Sequence, residues 1–172
     1  KIINGNKFIE SYSLAKLKSF NPNIFNCCDK HRMYIEIIQN TNKDIKEGAV
    51  FNETGIIGQV VNNKSFYEVM LLTDTKSSIP LTNSKGDFYC NASGSGASDY
   101  ITCSYSQLVW LDNHELGEKF FSSGLGGIYP KGIEIGNLES IKIVDTSTTL
   151  LTIKLISNPL HSNLFGVIKL DV

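Results

Sequence analysis

Three groupings in this 172-residue chain hold residue types that could do chemistry. Cys27, Cys28 and His31 place three soft ligands within five residues. A structural zinc site needs a fourth ligand and usually CxxC-type spacing, so no metal is expected. Ser95, in GSGAS, could be a nucleophile with His31, His114 or His161 as its base and an Asp as orienter. The GDSGG surroundings of a trypsin-like nucleophile are absent, and Ser95 reads better as a hairpin tip. The third grouping is SSGLGGIYPKGIEIG, Ser122 to Gly136. Gly127 and Gly132 have P-loop spacing, but Ile133 and Glu134 stand where Lys and a hydroxyl are required, and no helix pattern follows. A dinucleotide fingerprint fails at Tyr129. The stretch reads as a set of turns, and no cofactor or small-molecule substrate is expected.

The elements that would position these residues are strands. AKLKSF, MYIEIIQ, GIIGQVV, YEVMLLT, DYITCSYS, QLVWL, EKFFSS, IEIGNLESIKIV, TLLTIKLI and LFGVIKLDV are rich in β-branched and aromatic residues, several with period-2 alternation. Asn-, Asp-, Ser- and Gly-rich clusters such as VNNKS, TNSKGD and ISNPLHSN separate them. No segment after Phe20 keeps a 3.6-residue apolar period long enough for a helix, while KFIESYSLAKL fits a helix end running into a strand.

At 41% hydrophobic and 19% charged the chain can build a real core, and a formal charge of -1 supplies no field for nucleic acid. Its apolar runs fall far short of the roughly 20 residues that span a bilayer. The chain begins at Lys1 with no initiator Met or leader pattern, which reads as a piece of a longer protein.

An internal echo organises the chain. DIKEGAVFNETGIIGQVV (Asp44 to Val61) resembles HELGEKFFSSGLGGIYPKGIEIGNLESI (His114 to Ile141) in its order of features, with Gly48, Gly55 and Gly58 matching Gly117, Gly124 and Gly136. YEVMLLTDTKSSIP then parallels TLLTIKLISNP. The expected fold is all-β, two small barrel- or sandwich-like domains from a duplicated unit, preceded by a short helical or extended tail. The expected boundaries are 1–20 for tail and first strand, 21–80 for the first domain and 81–172 for the second. The final strand could pair back with the first domain.

Gly48, Gly55, Gly58, Gly117, Gly124, Gly126, Gly127, Gly132 and Gly136 are expected to serve turns. Cys90 and Cys103 flank NASGSGASDYIT, a hairpin that could set them opposite each other, as a cross-strand disulfide or as two buried thiols. Phe66 and Tyr67 begin one strand beside a loop and Phe88 and Tyr89 another, so one of each pair should face outward. Tyr129, at the tip of its loop, could pack inward, as general burial preference favours, or be offered outward, and with the other aromatics it is a candidate for contact with a partner protein.

GIIGQVVNNKSFYEVMLLTDTKSSIPL and ELGEKFFSSGLGGIYPKGIEIGNLESI resemble the two most characteristic segments of the rod shape-determining MreC family, over nearly the whole chain. Glu118, Phe121, Tyr129 and Glu134 depart from that family's commonest residues. The resemblance implies the periplasmic region of a single-pass inner-membrane protein, with the N-terminal tail left from a coiled coil. It implies a noncatalytic scaffold of the cell-elongation machinery that self-associates and binds, and helps activate, the elongation-specific class B penicillin-binding transpeptidase. Contacts with MreD and MreB would be made by parts missing here. A trypsin-like double-β-barrel serine hydrolase is the alternative.

Overall fold

The computed structural model describes residues 12–21, 29–39, 47–63, 66–106 and 114–168. The alternation read from the sequence becomes twelve strands, and no helix is present among the described residues. They are β1 (Ser13–Phe20), β2 (Arg32–Gln39), β3 (Ala49–Asn52), β4 (Gly55–Asn62), β5 (Tyr67–Leu71) and β6 (Ser78–Asn83). Then follow β7 (Tyr89–Gly94), β8 (Tyr100–Ser106), β9 (Lys119–Ser122), β10 (Glu134–Ile143), β11 (Thr148–Leu155) and β12 (Leu164–Ile168).

These strands close two six-stranded barrels with hydrogen-bonded orders β1-β12-β3-β4-β5-β2 and β10-β11-β8-β7-β6-β9. Setting β3 on β9, β4 on β10 and β5 on β11, as the sequence echo directs, also sets β1 on β7, β2 on β8 and β12 on β6, and the two orders coincide. The units β1–β6 and β7–β12 are therefore duplicates that exchange their last strand. Strand β6 leaves the first unit to close the second barrel, and β12 leaves the second unit to close the first.

The exchange moves one expected boundary, since residues 78–80 lie in β6 of the second barrel. The expected first strand, β1, belongs to the first barrel, and β12 pairs back with that barrel, the alternative left open for the final strand. A repeat boundary marks where the sequence pattern restarts, whereas a barrel boundary marks where sheet edges meet. Here the two differ by one strand.

The first barrel is filled by Ala15, Met33, Ile35, Val50, Val69, Phe165 and neighbouring side chains. The second cluster holds Ile79, Leu81, Ile101, Phe120, Leu151 and Ile153, and it extends into the first barrel through Ala49, Phe51 and Ile56. Val50 points into its own barrel while Ala49 and Phe51, on the other face of β3, pack toward the second. Hairpin β3–β4 is thus buried on both faces, which is why AVFN and GIIG carry almost no polar residues.

Candidate functional site

The barrels meet on the loop that raised the phosphate question. Gly124, Gly126, Gly127 and Gly132 all have positive φ, so the segment between β9 and β10 is a succession of tight turns. It folds back on Ser122, whose hydroxyl donates to the Pro130 carbonyl and accepts from the Ile133 amide at 3.0 Å. The result drives Tyr129 inward. Tyr129 is 1% exposed and its hydroxyl donates to Gln59 Oε1 of β4 at 3.2 Å. Burial pushes its phenol well above the ordinary range. Tyr129 is therefore a junction residue, and its assignment as a partner contact is corrected.

Two glycines assigned to turns lie within strands. A Cβ on Gly58 would come 2.2 Å from the Met70 carbonyl oxygen, and one on Gly136 would come 2.3 Å from that of Lys154. The matched glycines do the same work in the two barrels, letting β4 approach β5 and β10 approach β11 beside a register shift. Gly48 precedes β3, and its carbonyl accepts from the Val60 amide at 2.9 Å. Gly55 and Gly117 have positive φ at their turns.

A second anchor was not found from sequence. The buried Asp74 carboxylate, on the connection from β5 to β6, accepts from Arg32 Nε at 2.9 Å and from the amides of His31 and Lys76, each at 2.9 Å. Burial alone would raise its pKa; the hydrogen bonds from Arg32 and the two amides outweigh this and hold it below the usual carboxylate value. Arg32 also binds Glu68 at 2.8 Å, and Glu68 accepts from the Tyr34 hydroxyl at 3.1 Å. The neighbouring Thr73 carbonyl accepts from the Gly96 amide at 3.0 Å, and a Cβ on Gly94 would lie 2.0 Å from the Asp74 carbonyl oxygen. The connection is thus gripped by β2 of one barrel and by the β7–β8 hairpin of the other. The available signal was Arg32 alternating with Tyr34 on the polar face of β2.

The remaining aromatics divide by strand parity. Phe88 is 3% exposed and packs edge-on against Tyr105 at 5.1 Å between ring centres, so it too is removed from the partner contacts. Tyr67 is half-buried against the first core. Phe66 and Tyr89 are each 43% exposed. The Lys18 ammonium lies 5.3 Å from the centre of the Phe66 ring, and Lys18 and Lys16 both pair with Glu36, at 3.8 and 3.6 Å. This outer face of the first barrel offers an aromatic ring amid mixed charge, a composition suited to protein contact.

The groupings suggestive of catalysis are not assembled. Ser95 donates to the Tyr100 carbonyl at 2.6 Å within its hairpin. His31 Nδ1 is 2.6 Å from the Thr73 hydroxyl, His114 Nδ1 is 2.8 Å from Glu118, and His161 is 3.6 Å from Glu53. The histidines are therefore engaged elsewhere. Cys27 and Cys28 lie outside the described residues. Cys90 and Cys103 are joined in a disulfide, with their Cα atoms 6.3 Å apart.

The family model for the rod shape-determining protein MreC, barrel core, matches residues 24–169. The cell shape-determining protein MreC of Haemophilus influenzae is 32% identical over 112 residues, 62% of this chain and 31% of that protein. Its Escherichia coli counterpart is 27% identical over 117 residues, 67% of this chain and 31% of that protein. The matched part thus spans about a third of these relatives. The crystal structure of MreC from Pseudomonas aeruginosa superposes with a TM-score of 0.77 at 22% identity, covering 92% of this chain and 99% of that one. In a solved complex between Penicillin-Binding Protein (PBP2) and MreC from Helicobacter pylori, the matching chain gives a TM-score of 0.68 at 17% identity, with 94% and 99% covered. With the family model covering every strand of the two barrels except β1, this chain belongs to the MreC family of rod shape-determining proteins.

Proposed function

We propose that this region is a noncatalytic periplasmic scaffold that binds the elongation-specific class B penicillin-binding transpeptidase and favours its active conformation. The observation that carries this reading is family membership, joined to the capture of a Helicobacter pylori MreC in complex with PBP2. The exposed ring of Phe66 beside Lys18, and Tyr89 on the second barrel, are the contact residues proposed for this chain. Self-association, anchoring by one inner-membrane helix, and contacts of other parts with MreD and MreB belong to the same proposal.

Activation by binding requires higher affinity for the active than for the inactive transpeptidase, because equal affinity shifts no equilibrium. Full burial of a Phe66-sized side chain is worth roughly 1.5–3 kcal/mol, and Phe66 and Tyr89, each 43% exposed, together have nearly one side chain's worth left to bury, enough for a shift on the order of ten-fold if both contacts form in only one state. The test is the acylation rate of the periplasmic part of the transpeptidase by a β-lactam, with and without this chain. Acceleration that saturates with added chain supports activation. An unchanged rate at saturating binding would reduce the role to tethering.

A further inference from the structure

The duplication extends into the connections that carry the chain from barrel to barrel. Leu71, opposite Gly58, donates its amide to the His31 carbonyl at 3.0 Å, and Leu155, opposite Gly136, donates its amide to the Asp99 carbonyl at 2.7 Å. The Lys76 amide donates to Asp74 Oδ1 and the Leu160 amide to Asn158 Oδ1, each at 2.9 Å. His31 is therefore equivalent to Asp99, Arg32 to Tyr100, Thr73 to Ser157 and Asp74 to Asn158.

At these positions the two units differ in chemistry. In the first, the chain supplies both acid and base: Arg32 sits on Asp74, and the buried His31 ring reaches the Thr73 hydroxyl at 2.6 Å. In the second, Tyr100 and Asn158 replace that ion pair, and the acid stands at Asp99, in the place of the imidazole. The second unit also has a cavity of about 240 Å³, bounded by Asp99, Ser157 and Asn158 and walled by Leu155, Pro159 and Leu160. Ser157 is 6% exposed, and its hydroxyl has no hydrogen-bond partner among the described residues. No basic residue lines the cavity, so nothing in its wall matches the Asp99 carboxylate.

We propose that this cavity receives an arginine side chain of a partner protein, which brings from outside the base that Arg32 provides in the first unit. The guanidinium lies against the Asp99 carboxylate, with further donors for the Ser157 hydroxyl and the Asn158 side-chain oxygen. Its aliphatic stem runs along Leu155, Pro159 and Leu160. A free amino acid is disfavoured, because its α-carboxylate would meet Asp99 with no cation in the wall to offset the repulsion. An arginine held in a peptide chain has no such group.

The test is an amide NMR titration of the full chain with N-acetylarginine amide, which mimics an arginine within a protein. Shifts should be confined to the amides around the cavity, those of Asp99, Leu155, Ser157 and Leu160, and should saturate in the millimolar range of a single side-chain contact. N-acetylcitrulline amide, equal in shape and uncharged, should bind on the order of ten-fold more weakly. Asp99→Asn should lose a similar factor for the arginine probe and keep the fold, since Asn tolerates the φ of 72° found at Asp99. No saturable shift, equal binding of the two probes, or undiminished binding by Asp99→Asn would each overturn the proposal. Tighter binding of free arginine would overturn it in favour of a free amino acid, and preference for N-acetylleucine amide in favour of an apolar ligand.

Discussion

Arg32 Nε and Asp74 Oδ2 lie 2.9 Å apart, and this pair ties β2 of the first barrel to the connection that carries the chain into the second. Asp74 is 1% exposed and its other bonds come from fixed backbone amides, so its loss leaves a largely buried guanidinium half-paired. Asp74→Ala should destabilise the chain by about 3 kcal/mol, read from urea denaturation midpoints at pH 7. A change below about 0.5 kcal/mol would show that the pair carries no stability.

The same carboxylate predicts an acid dependence. Its pKa is lower folded than unfolded, so its contribution is present above the ordinary carboxylate value of about 4 and is lost as the pH falls through the depressed folded value. Denaturation midpoints should fall below about pH 4 in the parent, with a shallower fall in Asp74→Asn. Parallel profiles would assign the acid sensitivity to other groups.

Tyr129 separates packing from hydrogen bonding at the junction. Tyr129→Phe removes only the bond to Gln59 and should cost about 1 kcal/mol. Tyr129→Ala should cost about 3–5 kcal/mol because the ring is enclosed. Tyr129→Asp would buy no information about partners, since a buried charge would disrupt the junction before any surface was tested.

The matched glycines make a paired prediction about the duplication. Gly58→Ala and Gly136→Ala each force a methyl against a neighbouring carbonyl and should each cost at least about 2 kcal/mol. Gly126→Ala meets open space and carries only the strain of φ +81°, about 1 kcal/mol. Thermal unfolding of the three variants checks the ordering.

Much of this architecture was legible in the sequence because alternation survives burial on one face. The echo of Gly58 in Gly136 reported a true equivalence, though the reason for glycine is close strand approach and not a turn. The strand exchange was only half legible: β12 was open to pairing back with the first domain, but nothing marked β6 for the second, because both have ordinary strand sequences whose partners are fixed only by which sheet edges lie within reach. Nor could alternation choose between Phe88 and Tyr89. It says that neighbours face opposite ways without saying which way is in. Tyr129 misled for a related reason, since a Pro-Gly loop reads alike whether its tip projects into solvent or folds back against a second domain. Asp74 was hidden in TDTKSS, where an Asp in a turn is unremarkable until Arg32 is found beside it.

The central proposal is that this region holds a class B penicillin-binding transpeptidase through an exposed aromatic face, and titration of the purified transpeptidase with this purified chain by interferometry tests it most directly. The account predicts saturable binding at micromolar or lower concentration, weakened about ten-fold or more by Phe66→Asp or Tyr89→Asp in chains whose unfolding midpoints are unchanged. No saturable binding at high concentration, or binding that both variants leave intact, would contradict it.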